Sequence, residues 1–436
     1  MNTNRRDFIK HSAIAAAAVG VAPTILNACA SPADKVTVAL IGCRSMGFND
    51  LRSFLREENN VECVALCDVD TKVLEGKAAE VETLTGIRPK TYKDFRHVLD
   101  NKDVQAVIIG TPDHWHANMM ISALQAGKHV YVEKPMGHSI EECNAMVAAQ
   151  AKYPELYCQV GMWQRSSKHW FEASDIVKSG ELGDVHLVKA WIYKGYDTPY
   201  PAMPDSEAPD YVDYDMWLGP APKRAFNLNR FHYNFRWWYD YAGGAMTDWG
   251  VHLLDFALHA MDADMPTSIS PGGGIFYHEK GAIETPDIQQ AIYAYPKHTM
   301  IWECGLNPGI GPYQKGHGVA YVGQKGTLVV TRSGYEVIPD KDGKQQPYFE
   351  ARTQAEYGDG LDEHVKNLLS CIREGGTLNT PVEIGAKTAI VSEMGNIAYR
   401  AGQVIHWDDS KKQFNEEVAN NMAKLNYNPD WKLPTV

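Results

Sequence analysis

From Lys35 the chain reads KVTVALIGCRSMGFNDLRSFL: a β-branched run, a turn holding Gly42 and Gly47, then a helical pattern. About twenty residues past Gly47 a second strand, VECVALCDVD, brings Asp68 to its end. Strand, glycine turn, helix and acid-tipped strand in this order form a βαβ unit. Its glycines let the backbone approach a pyrophosphate at the helix N-terminus, and its acid accepts bonds from ribose hydroxyls. An acid at position 68 favours NAD, because it repels the extra phosphate of NADP. The Gly-x-Gly-x-x-Gly spacing is occupied by Gly42, Cys43, Arg44, Ser45, Met46 and Gly47, so Arg44 stands where the middle glycine is expected. A third strand, the polar loop TPDHWHA, a helix and a strand ending in VEKP follow. Strands alternating with helices predict a doubly wound parallel (Rossmann) sheet with its ligands at the carboxyl ends of the strands, where Thr111–His116 and Glu133-Lys134-Pro135 fall.

A second feature lies in GGAMTDWGVHLLDFALH, Gly243 to His259. At about 100° per residue, Asp248, His252, Asp255 and His259 fall within roughly 60° of arc on an otherwise apolar helix. Buried ionisable groups are costly unless paired or used. The stripe is therefore a structural network, a metal site or acid–base machinery. Asp and His at this spacing can ligate zinc, but there is no His-Glu-x-x-His motif and no cysteine ligand set, and no metal is assigned.

At 436 residues, 44% apolar and 22% charged, the chain has room for two domains of ordinary globular composition, and its net charge of −12 argues against a nucleic-acid partner. The first residues, NRRDFIKHSAIAAAAVGVAPTILNACAS, pair Arg5 and Arg6 ahead of a short Ala-rich apolar run. They resemble a twin-arginine export signal over residues 1–33, which predicts a periplasmic location. Ala28-Cys29-Ala30 fits a cleavage site, and Leu26-Asn27-Ala28-Cys29 also fits a lipobox that would lipidate Cys29 and tether the protein to a membrane. The eight cysteines include no Cys-x-x-Cys pair, and most read as buried small hydrophobes.

Together GTPDHWHA, VEKP and GGAMTDWGVHLLD resemble the glucose-fructose oxidoreductase, inositol dehydrogenase and rhizopine-catabolism (Gfo/Idh/MocA) family. The resemblance implies an NAD-binding Rossmann domain over residues 34–158 and a substrate domain over 159–408 with a large, mostly antiparallel sheet and C-terminal helices, followed by a tail over 409–436. Strand signals in VHLVKAWIYK, IQQAIYAYP, TMIWECG and GTLVVTRSGYEVIP agree. It also implies cofactor contacts from Gly42, Arg44, Ser45, Met46, Gly47 and Asp68, from the loop carrying Thr111, Asp113, His114 and His116, and from Glu133 and Lys134. Lys134, Asp248 and His252 become the catalytic group. Oxidising a secondary alcohol needs a base for the hydroxyl proton, and a histidine has a suitable pKa. His252 is then the base, Asp248 orients it or holds substrate, and Lys134 polarises the reacting oxygen. Asp255 and His259 read as supporting network.

Aromatic and polar runs suggest a carbohydrate ligand, since flat rings suit sugar CH surfaces and polar side chains bond hydroxyls. Trp163, Gln164, Arg165 and His232 are expected as substrate contacts beside Lys134, Asp248 and His252. Twin-arginine export carries folded proteins, so the signal implies NAD that travels tightly bound and must be regenerated in place. The expected activity is oxidation of a sugar or glycoside hydroxyl, at C3 by family analogy (a glucoside 3-dehydrogenase). The alternatives are an NAD-dependent glycoside hydrolase running oxidation, elimination and re-reduction, and a non-catalytic sugar-binding protein. Open-faced sheets in such relatives commonly pair, implying a homo-oligomer.

Overall fold

The computed structural model describes residues 35–195, 201–355 and 358–436. The expected export signal and Cys29 lie outside the described residues. The first sheet contains β1 (Val36–Ile41), β2 (Val61–Cys67), β3 (Lys90–Tyr92), β4 (Ala106–Ile109), β5 (His129–Val132) and β6 (Cys158–Val160). Their order is β3-β2-β1-β4-β5-β6, with every pairing parallel. β1 and β4 are almost wholly buried because helices cover both faces, which is why they read as apolar runs rather than as alternating strands.

The turn after β1 is fixed by close backbone packing. Gly42 has φ +87°, and a Cβ there would lie 2.7 Å from the Gly110 carbonyl. A Cβ on Gly110 would lie 2.4 Å from the Gly47 Cα, so three glycines interlock where β1, β4 and α1 (Ser45–Phe54) meet. Asp70 caps α2 (Thr71–Thr85), accepting from the backbone N–H of Lys72 at 3.0 Å and of Val73 at 3.1 Å.

Beyond β6, β7 (Val185–Tyr193) opens the second sheet, which is completed by β8 (Ser268–Gly274), β9 (Ile288–Ala294), β10 (Thr299–Gly305), β11 (His317–Gly323), β12 (Gly326–Thr331), β13 (Gly334–Pro339), β14 (Arg352–Ala355), β15 (Ile405–Asp408) and β16 (Gln413–Phe414). The order is β14-β13-β12-β11-β7-β10-β9-β8-β15-β16, antiparallel except for β7 against β10. Helices α3 (Gly250–Ala260) and α4 (Val382–Ala401) cover it with a core of Phe256, Trp302 and Tyr321.

Two features differ from the sequence expectation. The polar-striped helix is broken at Trp249: a short helix Gly244–Asp248 precedes α3. The His252 N–H bonds to the Trp249 carbonyl at 3.1 Å, which leaves the Asp248 carbonyl free to accept from Lys134 Nζ at 3.0 Å. In addition, helix α5 (Leu361–Glu374), from late in the chain, returns to the first domain. Its Val365, Leu368 and Leu369 share a core with Val38, Leu40 and Phe54, so residues far beyond 158 complete the dinucleotide domain. All seven described cysteines are buried and free. Among the described residues no helix is long and apolar enough to cross a membrane.

Candidate active site

A cleft of about 330 Å³ runs along the carboxyl ends of β1, β2, β4 and β5. One wall carries Gly42, Arg44, Ser45 and Met46, with Asp68 beyond them. The floor carries Thr111, Asp113, Glu133 and Lys134, and the opposite wall brings Met216, Trp217, His232, Tyr233, Arg236 and Asp248 from the second domain.

The cleft suits a dinucleotide. The N-terminus of α1 has no side-chain cap, so its N–H groups are left for an anion. Asp68 accepts from the Cys43 N–H at 2.8 Å and the Asp70 N–H at 2.9 Å; each oxygen keeps a lone pair for a ribose hydroxyl. The Thr111 hydroxyl is buried without a partner.

At the inner end an ion cluster forms. Lys134 Nζ donates to Asp248 Oδ1 at 2.9 Å, and Arg236 Nη1 donates to Asp248 Oδ2 at 3.0 Å. Burial opposes the Asp248 charge, but Arg236 and Lys134 outweigh it and pull its pKa below the usual carboxylate range. One turn on, His252 is 3% exposed and its Nδ1 has no partner. Burial, reinforced by Arg332 and Lys134, drives its pKa well below the ordinary value, so the ring is neutral near neutral pH. Burial pushes the Asp113 carboxyl well up, towards its neutral form.

Other expected residues sit elsewhere. Gly47 is packed against Gly42 and Gly110 and does not line the cleft. His116 lies between the Pro135 carbonyl at 2.7 Å and the Thr111 carbonyl at 3.0 Å, holding the loop rather than facing the cleft. His114 Nε2 lies 3.1 Å from the Trp217 carbonyl. His232, expected at the sugar, stays on the cleft wall but its Nε2 lies 2.9 Å from Oδ2 of Asp70, the N-cap of α2. Arg165 is bidentate to Asp255, both bonds 2.8 Å, and is thereby committed to the core. Gln164 is buried with both amide atoms unpartnered, and Trp163 packs against the His252 ring at 5.4 Å. Sequence reasoning passed over Arg236 as a partner of Asp248. Its signal in the sequence is an arginine within the aromatic run NLNRFHYNFRWWYDY, which no motif ties to Asp248.

A doubly wound sheet with a glycine-turn cleft, joined to a large mixed sheet whose domain brings an ion cluster to the cleft's inner end, defines a two-domain dinucleotide-binding protein. Residues 36–162 match the NAD-binding Rossmann fold of the Gfo/Idh/MocA oxidoreductase family, residues 172–433 match that family's C-terminal alpha/beta domain, and the chain belongs to this family. The chain is 29% identical over 160 residues to the inositol 2-dehydrogenase of Salmonella typhimurium, covering 37% of this chain and 46% of that protein. It is 29% identical over 216 residues to a glycosyl hydrolase family 109 protein of Shewanella baltica, covering 44% and 47%. These matches span about half the length of the curated relatives. The fold is also that of levoglucosan dehydrogenase in complex with NADH and levoglucosan, with a TM-score of 0.62, 17% identity and coverage of 85% and 99% of the two chains.

Proposed function

We propose that the protein is an NAD-dependent oxidoreductase acting on a hydroxyl of a sugar or glycoside. The observation that carries this reading is the Lys134–Asp248–Arg236 cluster, with neutral His252 one turn away, at the inner end of a dinucleotide cleft. NAD, held by the Gly42–Met46 turn and Asp68, would supply the hydride acceptor for the carbinol carbon. Lys134 has three N–H donors, and Asp248 takes two of them; the third is available to the reacting oxygen. The neutral His252 ring accepts the hydroxyl proton, and Asp248, kept ionised, stabilises the imidazolium that forms. Trp163, which is buried, packs against the His252 ring and covers it.

We further propose export by the twin-arginine signal with the cofactor already bound, and regeneration of NAD without release. We also propose that the open second sheet pairs with another copy of the chain. A second reading, the closed cycle of oxidation, elimination and re-reduction, is favoured by the similarity to the family 109 glycosyl hydrolase.

The test mixes protein purified without added cofactor with a panel of glycosides and free sugars, following nicotinamide absorbance and released aglycone together. Reduced nicotinamide without aglycone supports the dehydrogenase; steady aglycone without net absorbance change supports the closed cycle; neither signal on any sugar removes both. His252→Asn is expected to lower kcat by at least about a hundredfold while leaving the bound NAD content unchanged.

A further inference from the structure

Two ties join the domains across the ribose end of the cleft. In the first, Thr71 donates its backbone N–H and its hydroxyl to the Tyr211 carbonyl at 2.9 and 3.0 Å, and the Asp213 N–H donates to the Val69 carbonyl at 3.0 Å. Lys72 Nζ lies 3.6 Å from the centre of the Tyr211 ring. In the second, His232 Nε2 lies 2.9 Å from Asp70 Oδ2. Asp70 is buried and serves three partners: its Oδ1 caps α2, its N–H donates to Asp68 Oδ1 at 2.9 Å, and its Oδ2 meets His232. The acid placed for the ribose is therefore bonded to the residue that holds His232.

The segment that carries His232 is anchored in the second domain. Asn229 Nδ2 donates to the Pro201 and Ala282 carbonyls at 2.9 and 3.1 Å, the Phe231 ring packs on those of Phe226 and Trp217 at 5.0 and 5.4 Å, and Arg236 is bonded to Asp248. His232 itself has φ +49°, a left-handed conformation that a residue other than glycine adopts where its surroundings impose it. Burial, reinforced by the charge of Arg44, lowers its pKa to about 4, so near neutral pH an uncharged ring donates its Nε2–H to the Asp70 oxygen. Asp68 and Val69 line one side of the cleft here, and Met216, Trp217, His232 and Tyr233 line the other. From Asp68 to Lys134 the cleft is thus bridged at both ends, by Asp70–His232 and by Lys134–Asp248.

We propose that residues 211–236 are a strap over the dinucleotide cleft and that the Asp70–His232 bond is its clasp, which has to open for NAD to enter or leave. This rests on the reading of the cleft as an NAD site, and it gives retention of the cofactor a structural cause. Both ties run from protein to protein and leave the cofactor's own contacts to the Gly42–Met46 turn and Asp68. Loosening them therefore speeds entry and exit together, whereas loss of a side chain that bonds the cofactor changes exit alone.

The test follows NADH fluorescence. Release is read by chasing NADH-loaded protein with excess NAD, and entry by mixing NADH with cofactor-depleted protein. His232→Ala removes the donor, and Asp70→Ser removes Oδ2 while keeping a side chain that caps α2. Each is expected to raise both rates by about ten- to a hundredfold, the worth of one hydrogen bond to a carboxylate, with Kd little changed. The double variant is expected to be no faster than either single one, because both remove the same bond. His232→Gln, which can still donate to Asp70, is expected to stay near the native rates. Rates unchanged in His232→Ala overturn the clasp, and so does release that rises while entry does not, since that pattern places His232 on the cofactor itself. Should Asp70→Ser fail to fold, the contrast between His232→Ala and His232→Gln decides. Loss of turnover on every sugar with these exchange rates as expected would count against the proposed function and leave the strap standing; a protein that binds no NADH would overturn the reading of the cleft and the strap with it.

Discussion

Among single residues, the contrast between Asp248 and Asp255 shows how one helical stripe divides its labour. Asp248 meets Lys134 and Arg236 at the cleft, whereas Asp255, 2% exposed, is held by Arg165 and lies 3.3 Å from the Thr388 hydroxyl. The period of the stripe made both acids visible in the sequence, and the inner one reads as network from its depth. Its partner was not legible, because Arg165 stands 90 positions away and nothing local ties the two. Breaking such a pair from one side leaves a buried charge alone. Asp255→Asn is therefore expected to destabilise the protein by about 3–5 kcal/mol in denaturant unfolding, with NAD content per folded molecule unchanged. A loss below 1 kcal/mol would show that the Arg165 charge finds water instead.

At the scale of elements, local pattern and distant partnership separate cleanly. β1, the glycine turn and β2 are legible because each is written in consecutive residues: a β-branched run, glycines that admit no Cβ, an acid at a strand end. The apolar face of α5 is equally plain in HVKNLLSCIREGG, but the sequence does not say that this face covers the first sheet rather than the second. The break at Trp249 was invisible for a related reason: the carbonyl it frees, that of Asp248, is taken up by the Lys134 amine from 114 positions away. Leu368 is fully buried between α5 and the first domain, so Leu368→Ala is expected to cost about 2–5 kcal/mol. Because the lost contacts belong to the dinucleotide domain, added NAD should recover part of the melting temperature; unfolding that NAD does not shift would place α5 outside that domain's cooperative unit.

For the whole molecule, the balance of buried titratable groups predicts an acid-sensitive fold. Burial lowers the pKa of His114 to about 3 and those of His116, His138 and His364 to about 4, so all four are neutral in the folded protein. In the unfolded chain they bind protons below about pH 6.5, which makes stability fall as pH drops from there towards 4. Burial raises Glu142 and Glu393 to about 7, and these act with the opposite sign, favouring the folded state at low pH and losing that contribution as pH rises through 7. The histidines outnumber these acids, so the melting temperature is expected to decline between pH 6.5 and 4.5, and His364→Gln to make the decline shallower. A melting temperature that climbs on acidification would reverse the assignment of these histidines as neutral.

The late return of α5 also bears on how the chain comes into being. A ribosome has to deliver residue 374 before Val365, Leu368 and Leu369 can cover the outer face of the first sheet, although the last strand of that sheet is finished at Val160. The nascent dinucleotide domain thus waits, half covered, through the synthesis of more than two hundred further residues, at roughly 5–20 residues per second. Through that interval Leu40 and Phe54 form an apolar surface for chaperones to hold, although the residues that line the cleft, the last of them Asp248, have already been made.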